Sequence, residues 1–221
     1  MSEGPLDGKE QYITYFGYGS LVNRATRAPN ESAYPTRLYG WQRVWGHRVT
    51  AVSHPDKTVD YRCCSLSIQK QTSGTHNQDA HANQPDYIDG VIAGVKASEL
   101  SMLDKRETGY DRVVLPASDF RLPNNCSVTE VHVYVSDATH SGSANDEYPI
   151  LQSYIDCVLA GYCDLFERSG MQQFVDSTLG WEGTIKNDRD APLYPRAVKL
   201  ATSQLAQIDE LVTARRLSGD R

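Results

Sequence analysis

Two short stretches of this chain carry residue types that do chemistry. The first is Tyr15-Phe16-Gly17-Tyr18-Gly19-Ser20-Leu21. An apolar, β-prone run (Tyr12, Ile13, Tyr15, Phe16) breaks there into a Gly-Ser turn. A strand that breaks in this way offers unpaired backbone N–H groups at its carboxyl end, and such a turn can grip a carboxylate or a developing oxyanion. The second stretch is Leu103-Asp104-Lys105-Arg106-Glu107-Thr108-Gly109-Tyr110-Asp111-Arg112. A glutamate at a helix end is ordinarily solvated. Here Gly109 and Tyr110 break the helix at once, which puts Glu107 at a junction where a side chain can turn inward. A carboxylate so placed is a candidate general acid–base.

Other candidates are weaker. His47, His54 and His132 are scattered among strand-like segments with no paired acid nearby, and His76 and His81 fall in a polar loop. The five cysteines (Cys63, Cys64, Cys126, Cys157, Cys163) fit no metal template. A Cys–His hydrolase built on Cys63 or Cys64 has no local motif. Free or structural thiols are expected, which suits a reducing compartment. Arg43, Arg48 and Arg62 either face solvent or supply a partner for a substrate carboxylate. No metal and no cofactor is expected.

The elements that must position these residues follow from pattern. Residues 1–10 read as a flexible lead and 11–24 as strand, loop and helix start. Residues 37–53 read as one or two strands, 63–70 as a strand, and 71–87 as a solvated insertion. A clear strand covers 88–97. Ser98 reads as the N-cap of a helix over 101–106. Residues 112–115 and 128–136 are further strands. Two helices, 149–159 and 164–179, are expected on either side of Gly161. Residues 181–195 read as irregular, with Asn187 to Pro195 wrapping or shielding the core. The run 203–217 is an amphipathic helix with Leu205, Ile208, Leu211 and Val212 on one side.

The totals exclude some classes. A chain of 221 residues fits one domain, or one with an appendage, and can bury a sizeable core. A net charge of −6 argues against nucleic acid, whose phosphates call for a basic surface. No apolar run approaches the ~20 residues that span a bilayer, so no membrane partner is expected. Residues 1–11 carry no apolar signal segment, and a cytoplasmic location is the expectation.

Taken together, Tyr18-Gly19-Ser20-Leu21, the acid of Arg106-Glu107-Thr108-Gly109-Tyr110, and Tyr134 on the strand that follows resemble the γ-glutamylcyclotransferase-like superfamily. The likeness spans roughly residues 12–161. The resemblance implies an α+β fold, a small mixed β-barrel-like sheet with helices around it. The core would be 11–161, interrupted by the 71–87 loop, and 162–221 would be a helical C-terminal extension packed on it. FGYGSL resembles the glutathione-degrading ChaC-type branch, but Val22 and Asn23 stand where a tryptophan is usual. RETGYDRVVL lies between that branch and the small plant-type members.

The resemblance also implies a reaction. The α-amine of a γ-glutamyl group attacks its own γ-carbonyl, giving 5-oxoproline and a free amine or peptide. The nucleophile belongs to the substrate, a small γ-glutamyl compound. Glu107 would move the proton. Tyr18, Gly19, Ser20 and Leu21 would hold the glutamyl group, and Tyr134 or Tyr110 would orient the carboxylate. Glutathione-specific or γ-glutamyl-amine cleavage is the nearest alternative. A non-catalytic glutamyl-binding module of the same fold is the other.

Overall fold

The computed structural model describes residues 11–28, 31–50, 61–71, 86–122 and 126–219. The lead 1–10, most of the 71–87 insertion, and His54, His76 and His81 lie outside the described residues.

The class is α+β, and the barrel-like β structure consists of two five-stranded mixed sheets. The first contains β1 (Tyr12–Gly17), β2 (Ala33–Tyr39), β5 (Tyr87–Lys96), β6 (Tyr110–Pro116) and β7 (Glu130–Ser136), in the order β2-β5-β1-β7-β6. β1 lies at its centre, antiparallel to β5 and parallel to β7. The second contains β3 (Trp41–Val49), β4 (Cys63–Lys70) and three two-residue strands, β8 (Ile150–Leu151), β9 (Thr178–Leu179) and β10 (Ile185–Lys186), in the order β10-β8-β4-β3-β9. The sheets meet where β7 approaches β4, and the Ser136 N–H donates to Ser67 Oγ at 3.0 Å.

Placing β1 at the centre of a sheet forces its carboxyl end into the interior. Gly90 on β5 permits this, because a Cβ there would stand 2.5 Å from the Gly17 carbonyl oxygen. After Gly17 the chain turns through two 3-10 turns, Ser20–Val22 and Arg24–Thr26, in place of the helix start expected. Helix α1 (Leu100–Arg106) starts after the 3-10 turn Ala97–Glu99 and has no side-chain cap, so Ser98 does not serve as its N-cap.

Helix α2 (Gln152–Ser177) runs straight through Gly161. Gly161 serves close packing: a Cβ there would meet the Asn23 nitrogen at 2.5 Å. Asn23 Nδ2 also donates to the Cys157 carbonyl at 2.7 Å, fastening the helix to the turn after β1. The break falls instead at Glu167, where φ is 59°. Position 161, expected to end the core, is therefore mid-helix. Helix α3 (Thr202–Gly219) buries Ile208, Leu211 and Val212 in the same apolar cluster as Phe16, Trp45, Leu66 and Val158. Leu205 on the same stripe is half-buried. At roughly 1.5–3 kcal/mol per fully buried apolar side chain, α3 is held firmly to that core.

The stretch between β10 and α3 has few regular bonds of its own and is pinned by side chains. Residue Leu151, at the N-cap of α2, offers no side-chain cap. Asp188 supplies one from outside. Its carboxylate accepts from the Ser153 N–H (2.8 Å), Ser153 Oγ (2.6 Å) and the Leu193 N–H (2.8 Å). A negative charge at a helix N-terminus is also favoured by the helix dipole. Arg189 then bridges Asp156 on α2 and Asp209 on α3, each at 2.8 Å. Because Asp188 is buried, Asp188→Ala leaves buried donors unpaired and is expected to cost about 2–4 kcal/mol. Urea unfolding followed by circular dichroism measures this loss, and an unchanged midpoint would show that the strap is not anchored through Asp188.

Candidate active site

The C-terminal end of α1 and the turn after β1 face one another across a cavity of about 670 Å³. A ligand pocket commonly has a volume of this order. Beside it lies a niche of about 30 Å³, lined among others by Gly17, Tyr18, Gly19, Ser20, Leu21, Leu66, Glu107, Tyr110, Tyr134 and Tyr154. That is room for one water-sized polar group. Ser20, Glu107, Tyr110 and Tyr154 line both the niche and the wider cavity, so the two adjoin.

Glu107 is the C-cap of α1, and its N–H closes on the Leu103 carbonyl at 3.0 Å. The chain then reverses through Gly109, whose φ of 84° is a left-handed conformation that favours glycine. A side chain at 109 would also strike the rings of His47 and His140 at 2.9 Å. This turn swings the Glu107 carboxylate towards the niche, leaving 17% of its side chain exposed. Burial pushes the carboxyl up from its ordinary value, and Arg106 and Arg196 oppose that shift. Arg106 Nε lies 3.1 Å from Glu107 Oε1. Its Nη1 donates to the Thr26 carbonyl at 2.6 Å, so it also ties α1 to the turn after β1.

The turn itself is tightly built. The N–H groups of Val22 and Asn23 bond back to Gly19 and Ser20, whereas those of Ser20 and Leu21 open the 3-10 turn and have no bond within it. Any side chain at position 19 would come within 3.0 Å of the Tyr154 hydroxyl. Leu21 packs with Tyr15, Ala93, Leu103 and Tyr134 in a small second core.

The tyrosines are arranged differently from expectation. The Tyr134 hydroxyl donates to Asp104 Oδ1 at 2.7 Å. That of Tyr110 donates to the Leu66 carbonyl at 2.6 Å. Neither hydroxyl bonds Glu107. The Tyr18 hydroxyl donates to the Tyr134 carbonyl at 2.6 Å and joins the loop to β7. Burial raises all three phenols, so they are neutral at pH 7. The structure thus brings Glu107 and Tyr18, Gly19, Ser20, Leu21, Tyr110 and Tyr134 to one niche, with Tyr18, Tyr110 and Tyr134 fixed by other partners.

Several wall residues were not singled out as a group from the sequence. Tyr154, at the start of α2, and Tyr194, from the strap, meet edge to face at 4.9 Å. Cys63, Cys64, His47, Lys105, Arg106 and Arg196 line the wider cavity. The Cys63 and Cys64 thiols are pushed up to about 12, chiefly by burial, so they are not activated nucleophiles. Among the described residues no group of three or more His, Cys, Asp or Glu is placed to hold a metal ion. The expected alternatives for Arg43, solvent or a substrate carboxylate, are both wrong: it is fully buried behind the loop.

The comparisons agree with this architecture. No protein-family model and no curated protein matches the chain. A solved γ-glutamyl cyclotransferase superposes with a TM-score of 0.51 at 14% identity, covering 90% of this chain and 99% of that one. An uncharacterized human protein superposes with a TM-score of 0.52 at 14% identity, covering 92% and 99%. The chain therefore shares its fold with these two solved proteins.

His47 gives the cavity wall a pH limit. It is buried, stacks on Tyr110 at 3.7 Å and lies 2.9 Å from Ser136 Oγ through Nδ1. Burial first, and the neighbouring His140 second, push it down to about 4. An unfolded histidine titrates near 6.5, so the unfolded state takes up the proton first as pH falls. Stability is complete above about pH 6.5 and is lost towards pH 4, on the order of 2–3 kcal/mol from this residue. Urea midpoints of wild type and His47→Gln should converge as pH drops from 7 to 4. Parallel curves would show that His47 does not titrate in this way.

Proposed function

We propose that the protein is a γ-glutamyl cyclotransferase that closes a γ-glutamyl group to 5-oxoproline and releases an amine. The observation that carries the reading is the Glu107 carboxylate, raised by burial and turned into a niche walled by the Gly-Ser turn after β1.

The chemistry suits the residues. In the substrate the α-ammonium is protonated at neutral pH and the γ-carbonyl is an unreactive amide. Glu107 takes the proton from the ammonium. The freed amine attacks the γ-carbonyl, and the new C–N bond closes a five-membered ring while the carbonyl oxygen gains negative charge. Collapse of that intermediate breaks the original amide bond as Glu107 returns its proton to the departing nitrogen, and the second proton shed by the ring nitrogen passes to the freed amine, which leaves as an ammonium. A general acid–base works best when its pKa approaches the working pH, which the burial of Glu107 favours. The N–H groups of Ser20 and Leu21 face charge in the substrate, either its α-carboxylate or the oxyanion. Holding the glutamyl chain folded in the wider cavity, beside the niche, lowers the entropic cost of closing the ring.

Incubation with a panel of γ-glutamyl amides and peptides, with 5-oxoproline as readout, tests the reading. Glu107→Gln is expected to fold and bind but to lose at least ~100-fold in kcat, the usual scale for such a group. Near-normal turnover in a folded variant would remove Glu107 from the mechanism. In wild type the acid limb of kcat/KM should lie above pH 4.5, since Glu107 must be ionised to accept the proton and its folded-state value is raised above that figure. A flat profile down to pH 4.5 would contradict a buried base.

A further inference from the structure

Adjacent residues of a helix point in different directions, so Arg106 and Glu107 would not ordinarily meet. Here they do, because Glu107 has left the helix, with φ −94° and ψ 41°. Its carboxylate comes back to the neighbouring guanidinium, and Arg106 Nε lies 3.1 Å from Oε1. Both side chains are largely enclosed. The far end of the same guanidinium reaches the turn after β1. Its Nη1 donates to the Thr26 carbonyl at 2.6 Å, and its Nη2 lies 3.5 Å from both Ser20 Oγ and Thr26 Oγ1. Thr26 is locked into that turn, its hydroxyl donating to the Ser20 carbonyl at 2.7 Å. One planar group therefore spans the acid–base candidate and the Gly-Ser turn. Among the described residues no other side chain pairs with the Glu107 carboxylate.

Such a bridge can act in two ways. Proton transfer at one end and charge stabilisation at the other need a fixed separation between Glu107 and the N–H groups of Ser20 and Leu21. Helix α1, seven residues long and without a side-chain cap, does little to fix its own end. A cation at this distance also favours the carboxylate anion, against the burial that disfavours it. The groups around Glu107 leave that second role mainly to Arg106. From the strap, exposed Arg196 attracts the carboxylate less strongly, and Lys105 lines the cavity from α1. Tyr18, Tyr110, Tyr134 and Tyr154 face it from the turn, β6, β7 and α2, and burial keeps these phenols neutral at pH 7. On the β3 and β4 walls His47 is pushed down to about 4 and Cys63 and Cys64 up to about 12, so they are neutral there too. Asp104, earlier on α1, is turned to Arg112 and Tyr134.

We propose that Arg106 is the positioning residue of this site: its guanidinium fixes the Glu107 carboxylate against the turn after β1 and keeps it an anion that can accept the proton. This inference rests on the cyclotransferase reading. Arg106 touches the acid–base group and the turn, and it acts on the reaction through them.

The test uses the full chain with carboxyl-labelled glutamate, titrated by NMR, together with the pH profile of 5-oxoproline formation. Glu107→Gln identifies the Glu107 resonance. Arg106→Gln is expected to raise the Glu107 titration midpoint by at least about one pH unit, the low end of the effect of a neighbouring opposite charge. The acid limb of kcat/KM should move up by the same amount, because the base must be ionised to accept the proton. Its kcat should fall about 10- to 100-fold as the separation is no longer fixed. Arg106→Lys keeps the charge but offers one point of attachment in place of a planar fork. Its midpoint is expected within about half a unit of wild type, with kcat still lowered about 10-fold. Arg196→Gln serves as the charge control and should move the midpoint less than Arg106→Gln does. Urea midpoints confirm that the variants are folded. An unmoved midpoint in Arg106→Gln, an equal shift in Arg196→Gln, or an Arg106→Lys enzyme as fast as wild type overturns the role of Arg106 and leaves the cyclotransferase reading standing. Absence of 5-oxoproline from every γ-glutamyl compound overturns that reading, and the role of Arg106 in it, whatever the midpoints.

Discussion

A single buried cation organises the part of the fold behind the niche. Arg43 on β3 is fully enclosed and has no carboxylate beside its guanidinium. The Asp89 side chain, which is near enough to matter, pairs with Arg37 at 2.9 Å. Arg43 is instead surrounded by neutral acceptors. Nη1 donates to the Asp89 carbonyl (2.7 Å) and the Tyr162 hydroxyl (2.8 Å), and Nη2 to Ser177 Oγ (2.9 Å). The ring of Phe174 lies 4.6 Å from the guanidinium carbon. Burial pulls the group down, but arginine starts so high that it stays charged at pH 7. A buried charge is tolerated only if its donors are met, so each partner must stay in place. Those partners come from β5 and from both halves of α2.

This constraint reaches the candidate site through Tyr162. Its one proton is shared between the Asp89 carbonyl (2.7 Å) and the Tyr18 carbonyl (3.0 Å), while its oxygen accepts from Arg43. The backbone at the start of the Gly-Ser turn is therefore tied to the buried cation. From the other side, the Tyr18 hydroxyl grips β7, and Asn23 and Gly161 close the turn against α2. These contacts hold the backbone of the turn in one position. Glu107 is held by fewer bonds, with Arg106 as its direct partner. Burial still outweighs the attraction of Arg106 and Arg196, so the carboxyl is raised.

Much of this was legible in the sequence where a local pattern carried the information. The strands around Phe16, Cys64, Val91 and Val133 follow from β-branched and aromatic runs. The stripe on α3 follows from its period. Glu107 could be singled out because Gly109 and Tyr110, just after it, break the helix. What the chain did not reveal locally is set by tertiary contact. Gly161 reads as a helix break, yet it is a packing glycine within α2, and the actual break at Glu167 carries no breaker residue. Arg43 reads as a surface cation because nothing nearby in sequence says that Tyr162, Ser177 and Phe174, more than a hundred residues later, will enclose it. Tyr110 and Tyr134 were chosen for proximity to Glu107, but their hydroxyls are engaged by the Leu66 carbonyl and by Asp104.

The division of labour along the chain follows from the same physics. Residues that must be rigid sit at the ends of paired strands or a short helix, where ladders and buried networks fix them. The strap has no ladder, and two charged residues do that work: Asp188, as the external cap of α2, and Arg189, between two carboxylates. Side chains on such a segment can change without disturbing the sheets, whereas a change at Gly17 or Gly90 meets neighbouring atoms at once.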